Sequence, residues 1–221
     1  TMGFDGVIAE GVEWTLNGQS PNFLYRAPTT ARIKTLLRNN GLSDDLGFRF
    51  SDKSWSEWPI TPEKFADGVM ESPGDVVNLF LDYESIGEHQ WAETGVFDFW
   101  EKLPEAMDEA GSQFVTPTEA VEVYRASREY DCHFITSWAD AERDLSAWMG
   151  NVMQQEAIAK VHRLEQAILA VKDPDLTHTW AKMQTSDHFY WMSTKSGSDG
   201  NIHSYFSPYP SPYDAYIYFM N

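Results

Sequence analysis

The pattern of apolar positions changes character near residue 118. Before it, short continuous apolar runs alternate with stretches that open on helix-capping residues. Gly6-Val7-Ile8-Ala9 predicts a short buried strand ending at Glu10. Val76 to Leu81, preceded by the turn Ser72-Pro73-Gly74-Asp75, predicts a second strand that ends at Asp82. Its apolarity is continuous rather than alternating, as a parallel strand covered on both faces requires. Phe114-Val115 is a third candidate strand, and Ile33 to Leu37 reads equally as strand or helix. Thr61-Pro62 places a cap before a proline at the first helical position. Thr116-Pro117-Thr118-Glu119 adds the glutamate of a capping box. Strands alternating with helices predict a parallel α/β arrangement, open or barrel-like.

Beyond residue 118 the pattern is mainly helical. Ser137-Trp138-Ala139-Asp140 has the form of a capping box and predicts the start of a long helix. Along it Met149, Met153, Ala157, Val161, Leu164, Ile168 and Val171 recur at three- and four-residue spacing, a packing stripe. Asp173-Pro174 starts another helix, to about Met183. An aromatic segment, a Gly/Ser loop and a Pro-rich end follow. The expected organisation is therefore residues 1–118 as an α/β region and residues 119–221 as a helical region packing on it.

Composition narrows the function classes. The 221 residues are 42% hydrophobic and 14% aromatic, which predicts a folded core and excludes a disordered chain. No apolar run approaches the ~20 residues of a bilayer span, so no membrane partner is expected. A net charge of −18 argues against nucleic acid and suits a neutral ligand such as a polysaccharide, or simply solubility. A single cysteine, Cys132, excludes an internal disulfide framework, and the expected compartment is cytoplasmic. The chain starts without a signal-peptide pattern and runs at once into an apolar stretch, which suggests sequence missing upstream. No cofactor is expected. Six histidines offer no His-x-x-x-His pair, so no metal site is expected, and no Gly-x-Ser-x-Gly elbow occurs.

Two carboxylates stand out, since Glu10 and Asp82 each follow a predicted strand. In parallel α/β folds, sites lie at the carboxyl ends of strands. Glycoside hydrolysis needs two carboxyl groups, one ionised to attack the anomeric carbon and one holding a proton for the leaving oxygen. Glu84 and Glu88 beside Asp82 put like-charge pressure on its ionised form. Either carboxylate could equally be an ordinary turn or cap residue. Asp44-Asp45 with Arg49 reads as a charge network, or as the start of a helix capped by Ser43.

The run Leu79-Phe80-Leu81-Asp82-Tyr83-Glu84-Ser85-Ile86-Gly87-Glu88-His89-Gln90-Trp91 resembles the acid-bearing motif of glycoside hydrolase family 57, in its α-amylase branch. Gly3 to Gly11 resembles the nucleophile region of that family. Leu42 to Ser51 and Thr185 to Met192 resemble two further blocks, in the family's order. The resemblance implies part of an incomplete (β/α)7 barrel followed by a mainly helical C-terminal region. It implies Glu10 as nucleophile and Asp82 as acid/base of a retaining mechanism on α-glucans or maltooligosaccharides. Trp14, His89, Trp91, Asp187 and His188 would contact substrate. The family's His-Gln-Pro motif is absent from this chain. An α-glucan-binding or regulatory protein without catalysis is the alternative. Half a barrel would also leave an open side, from which self-association is expected.

Overall fold

A computed structural model describes residues 3–28 and 30–221, with the side chains of residues 30 and 31 left aside. Thr1 and Met2, the start of the first expected region, lie outside the described residues. The chain divides into two compact units, Thr1–His133 and Phe134–Asn221.

The first unit is built on a four-stranded sheet. Strand β1 is Gly6–Glu10, β2 is Tyr25–Ala27, β3 is Thr30–Arg38 and β4 is Arg128–Glu129, in the spatial order β1-β3-β2-β4. β1 lies parallel to β3, with Glu10 opposite Arg38. The ambiguous Ile33–Leu37 stretch is therefore strand. Its consecutive leucines face opposite ways, as the two-residue strand period demands. Leu37 packs with Leu16, Tyr25 and Tyr130, and Leu36 with Leu24, Ala120 and Val121. Both faces are covered, which is why apolarity runs on without alternation.

Not every expectation for the sheet holds. β2 runs antiparallel to β3, so the sheet is mixed rather than parallel. Val76 to Leu81 is extended, but its only ladder contact among the described residues is a parallel bridge from Asn78 to Arg38. The cause is the length of β3, which ends at Arg38, leaving the segment no further strand to pair with. Other anchors replace the ladder. The main-chain N–H groups of Asp75 and Val76 donate to the Asn22 carbonyl at 2.8 and 3.0 Å. The Asn78 side chain donates to the Leu37 carbonyl at 3.0 Å. Gly74 makes this approach possible, because at φ 147° a Cβ would lie 2.3 Å from the Asn22 oxygen. Phe114-Val115 forms no strand; Val115 packs against the sheet and Phe114 is exposed.

Helices flank this sheet. The first turn, α1, is Glu13–Leu16, and α2 is Asn40–Gly47. Ser43 does not cap α2: it lies within the helix, wholly buried, and Asn39 is the cap, accepting from the Leu42 N–H at 3.0 Å. α3, Pro62–Glu71, starts at the Thr61 cap as expected. α4 is Val96–Glu109, and Phe65, Val69, Val96, Phe99 and Leu103 interlock between α3 and α4 with Phe50. α5, Pro117–Val123, begins with the Thr116/Glu119 capping box.

The second unit is helical: α6 Ser146–Met149, α7 Val152–Val171, α8 Pro174–Lys182, α9 Ser186–Tyr190, α10 Gly197–Phe206 and α11 Pro212–Met220. The long helix does not open at Ser137. Asp140 and Arg143 adopt left-handed φ values of 56° and 55°, which no helix can run through. Ser137 instead donates to the Asp144 carbonyl at 2.6 Å. The capping box that starts α7 is Asn151 with Gln154. Of the predicted stripe, Ala157, Val161 and Ile168 are buried, while Met149, Leu164 and Val171 stay exposed. Phe189, Met192 and Ala215 close the core around Ala157. Asp173 caps α8 as the sequence predicts. No described helix is long and apolar enough to cross a membrane.

Candidate active site

Arg38 is the last residue of β3 and has ladder partners on both sides, Glu10 on β1 and Asn78 on the extended segment. It is only 3% exposed. A buried guanidinium must be matched by charge and acceptors. Its Nη1 lies 3.6 Å from Glu10 Oε1, and its Nη2 lies 2.5 Å from Asp44 Oδ1. Its Nε donates to the Phe80 carbonyl at 2.7 Å, two residues before Asp82. The Phe80 N–H donates to Ser43 Oγ at 3.1 Å, which fixes the same peptide from α2. Asp44 thus belongs to the site's charge network rather than to a helix start, and Asp45 pairs separately with Arg49 at 2.5 Å.

Glu10 ends β1 with its side chain nearly buried. Its main-chain carbonyl accepts from the Tyr130 hydroxyl at 2.9 Å. The next residue must be glycine: a Cβ on Gly11 would sit 2.7 Å from the Arg38 carbonyl oxygen. Close approach of the two strand ends therefore depends on it.

Asp82 is half-buried, and its carbonyl accepts from the Ser85 N–H at 3.0 Å to form the 3-10 turn Tyr83–Ser85. Burial pushes its carboxyl above the ordinary aspartate range, and the Glu84 charge adds to that. His89 and Arg38 pull the other way and do not cancel it. The end of β1 and the end of the extended segment accordingly present carboxyl groups of different character. One faces a permanent cation across 3.6 Å; the other is biased toward keeping its proton.

The remaining predicted residues divide by unit. Trp14 lies on α1 with 56% of its surface exposed, and Trp91 is 64% exposed. The Trp91 indole N–H donates to the Glu88 carbonyl at 2.5 Å, which fixes the ring's edge and leaves its faces open. His89 is half-buried, with its main-chain N–H bonded to the Glu84 carbonyl at 3.1 Å. Asp187 and His188 belong to the second unit, on α9. Asp187 is exposed; His188 packs edge-on against Trp191 and beside Phe219, at centroid distances of 5.5 and 5.4 Å. A concavity of about 780 Å³ in the first unit, lined by Val76 to Leu81, Trp100 and Phe114, includes neither Glu10 nor Asp82. The carboxyls that line it are Asp75 and Asp108, neither of which ends a strand.

One acidic group among the described residues, Asp140 with Glu142 and Asp199, has the spacing to hold a metal ion. Lys195 already occupies it, 2.7 Å from Asp140 and 2.6 Å from Glu142.

The model of glycosyl hydrolase family 57 matches residues 1–135, the part of the chain that contains both carboxyls and Arg38. The chain belongs to glycosyl hydrolase family 57. It is also 40% identical, over 231 aligned positions, to a protein of Methanocaldococcus jannaschii named "Putative alpha-amylase". The match covers all of this chain and 49% of that relative, so the family 57 chain spans about half the length of the curated relative it matches. No solved structure matches it.

Sequence reading missed Arg38 and Tyr130. The signal for Arg38 was available: a lone arginine ends the apolar run Thr35-Leu36-Leu37, and a charge there must face a partner. Nothing local marks Tyr130, which acts across 120 residues.

Proposed function

We propose that this family 57 chain carries the carboxyl pair of a retaining α-glucan hydrolase of the α-amylase type, with Glu10 as nucleophile and Asp82 as acid/base. The observation that supports it is the contrast between the two carboxyls: Glu10 against the Arg38 guanidinium, Asp82 biased toward its protonated form. In the first step the Glu10 carboxylate attacks the anomeric carbon, the glycosidic C–O bond breaks, and Asp82 gives its proton to the leaving oxygen. In the second, water attacks the same carbon, Asp82 takes its proton, and the ester C–O bond breaks to restore Glu10. Trp14 and Trp91 offer flat, exposed faces for sugar rings, with His89 beside Asp82. Within the second unit, Asp187 and His188 on α9 are proposed as contacts for the same kind of ligand.

The expected framework is part of an incomplete (β/α)7 barrel with the helical region beyond it. The outer edge of β1, where Val7 and Ile8 are about half exposed, is the proposed surface for self-association, tested by sedimentation velocity. A well-behaved monomer would sink that part.

The central test is reducing-sugar release from starch by this chain, with Glu10→Gln and Asp82→Asn compared after a circular-dichroism check of folding. Turnover is expected to fall by about a hundredfold or more in each variant, the scale of acid–base loss. Wild-type turnover in both variants would overturn the assignment.

A further inference from the structure

We propose that Arg38 is the positioning residue of the carboxyl pair, a single guanidinium that both faces the Glu10 carboxylate and holds the main chain leading to Asp82. This rests on the catalytic reading of Glu10 and Asp82. The geometry behind it is a three-way grip. Nη1 addresses Glu10 at 3.6 Å, Nη2 addresses Asp44 at 2.5 Å, and Nε donates to the Phe80 carbonyl at 2.7 Å. A planar fork holds its donors in fixed directions, which suits three such partners; an ammonium on a flexible stem has donors but no fixed fork. Asp44 has the shorter contact, so it anchors the guanidinium while Glu10 keeps the looser one. A nucleophile needs that looseness, because its oxygen must leave the cation's side to reach a carbon.

The grip also links the two halves of the proposed reaction. While Glu10 is ionised, its charge offsets part of the Arg38 field. In the glycosyl ester that charge is gone and the guanidinium remains, since arginine stays protonated throughout. The field reaching Asp82 is then more positive, which favours its ionised form. That is the form the second step needs, when Asp82 must accept a proton from water. The loss of the Glu10 charge would thereby help Asp82 change from acid to base, while Arg38, whose charge is the same in both steps, holds the chain in place.

The test is a carbon-13 titration of the Asp82 carboxyl in the whole chain, with its resonance assigned through Asp82→Asn. It compares wild type, Arg38→Gln and Arg38→Lys, with thermal melts run alongside. Removing the charge in Arg38→Gln should raise the Asp82 midpoint by about half a pH unit or more. Arg38→Lys keeps a charge but not the fork, and should raise it less. A purely structural arginine would lower the melting temperature of both variants and leave the midpoint in place, and that result overturns the proposal. If Arg38→Gln does not fold, the lysine variant decides, an unmoved midpoint again being fatal. The titration needs no turnover. Failure of the starch assay therefore removes the catalytic reading, while an unmoved midpoint removes the role of Arg38 alone.

Discussion

The Tyr130 hydroxyl donates to the main-chain carbonyl of Glu10 at 2.9 Å and accepts from the Val12 N–H at 3.4 Å. It clamps both sides of the turn that follows β1, and its ring stacks edge-on against Tyr25 at 5.9 Å. Burial pushes the phenol above its ordinary range, so it stays a donor at any working pH. Tyr130→Phe keeps the ring and orphans two buried backbone groups. The expected cost is about 1–3 kcal/mol in urea denaturation. An unchanged denaturation midpoint would show that water replaces the hydroxyl and that the clamp is dispensable.

Legibility followed the range of the interaction. β1 and the caps at Thr61, Thr116 and Asp173 rest on local pattern, and each could be read from a few neighbouring residues. The burial expected of β1 could not, because β1 is the edge of the sheet and Val7 and Ile8 are about half exposed. The strand at Val76 to Leu81 could not, because strand character depends on a partner, and β3 stops at Arg38. Ser137 failed for the opposite reason. Its local pattern was right for a cap, but Asp140 takes a left-handed turn to reach Lys195 and His203, and that tertiary network outweighs the helix. Arg38 was overlooked because a single charge at a strand end carries no periodicity.

Gln154 is the polar keystone of the second unit. It is wholly buried, and its amide nitrogen donates to the carbonyls of Ala147 at 2.8 Å and Phe189 at 2.9 Å. Its oxygen accepts from the Asn151 N–H at 3.0 Å, completing the cap of α7. One side chain thus ties α6, α7 and α9. Gln154→Leu has similar bulk but leaves those carbonyls buried without a donor. It should cost about 2–4 kcal/mol, the desolvation of two acceptors plus the lost cap. Gln154→Glu should also destabilise, by putting carboxylate oxygens against carbonyls. Chemical denaturation followed by Trp fluorescence reads both, and a loss below ~0.5 kcal/mol in the leucine variant would contradict this account.

Exposed tryptophans give a way to separate hydrolysis from binding. Trp14→Ala and Trp91→Ala should each weaken maltooligosaccharide binding about fivefold in calorimetry, near the ~1 kcal/mol scale of one aromatic contact. Both rings are surface groups, so stability should barely move. Wild-type binding with no reducing-sugar release would favour the glucan-binding alternative over the hydrolase. If neither substitution changes the affinity, the stacking faces lie elsewhere.

Two aspartates of this chain should respond to pH with opposite sign. Asp82 has its folded value raised, by burial first and by Glu84 next. Its stabilising contribution is present below the unfolded value of about 3.9 and is lost as pH rises through the folded value. Ionising the group in the fold is a cost, so Asp82→Asn should be more stable than wild type wherever the pH exceeds the folded value. Asp140 is lowered instead. Burial opposes its ionisation, but hydrogen bonds from Lys195 and His203 outweigh that. Its contribution is present above about 3.9 and is lost as pH falls through the depressed folded value. Asp140→Asn should therefore be less stable than wild type at pH 7. Both differences should shrink toward acid, where aspartate and asparagine are alike in charge. Denaturation of the three proteins at pH 7 and pH 3 decides the matter. A destabilised Asp82→Asn at pH 7 would mean that Arg38 and His89 dominate over burial, and that Asp82 is held ionised rather than ready to donate.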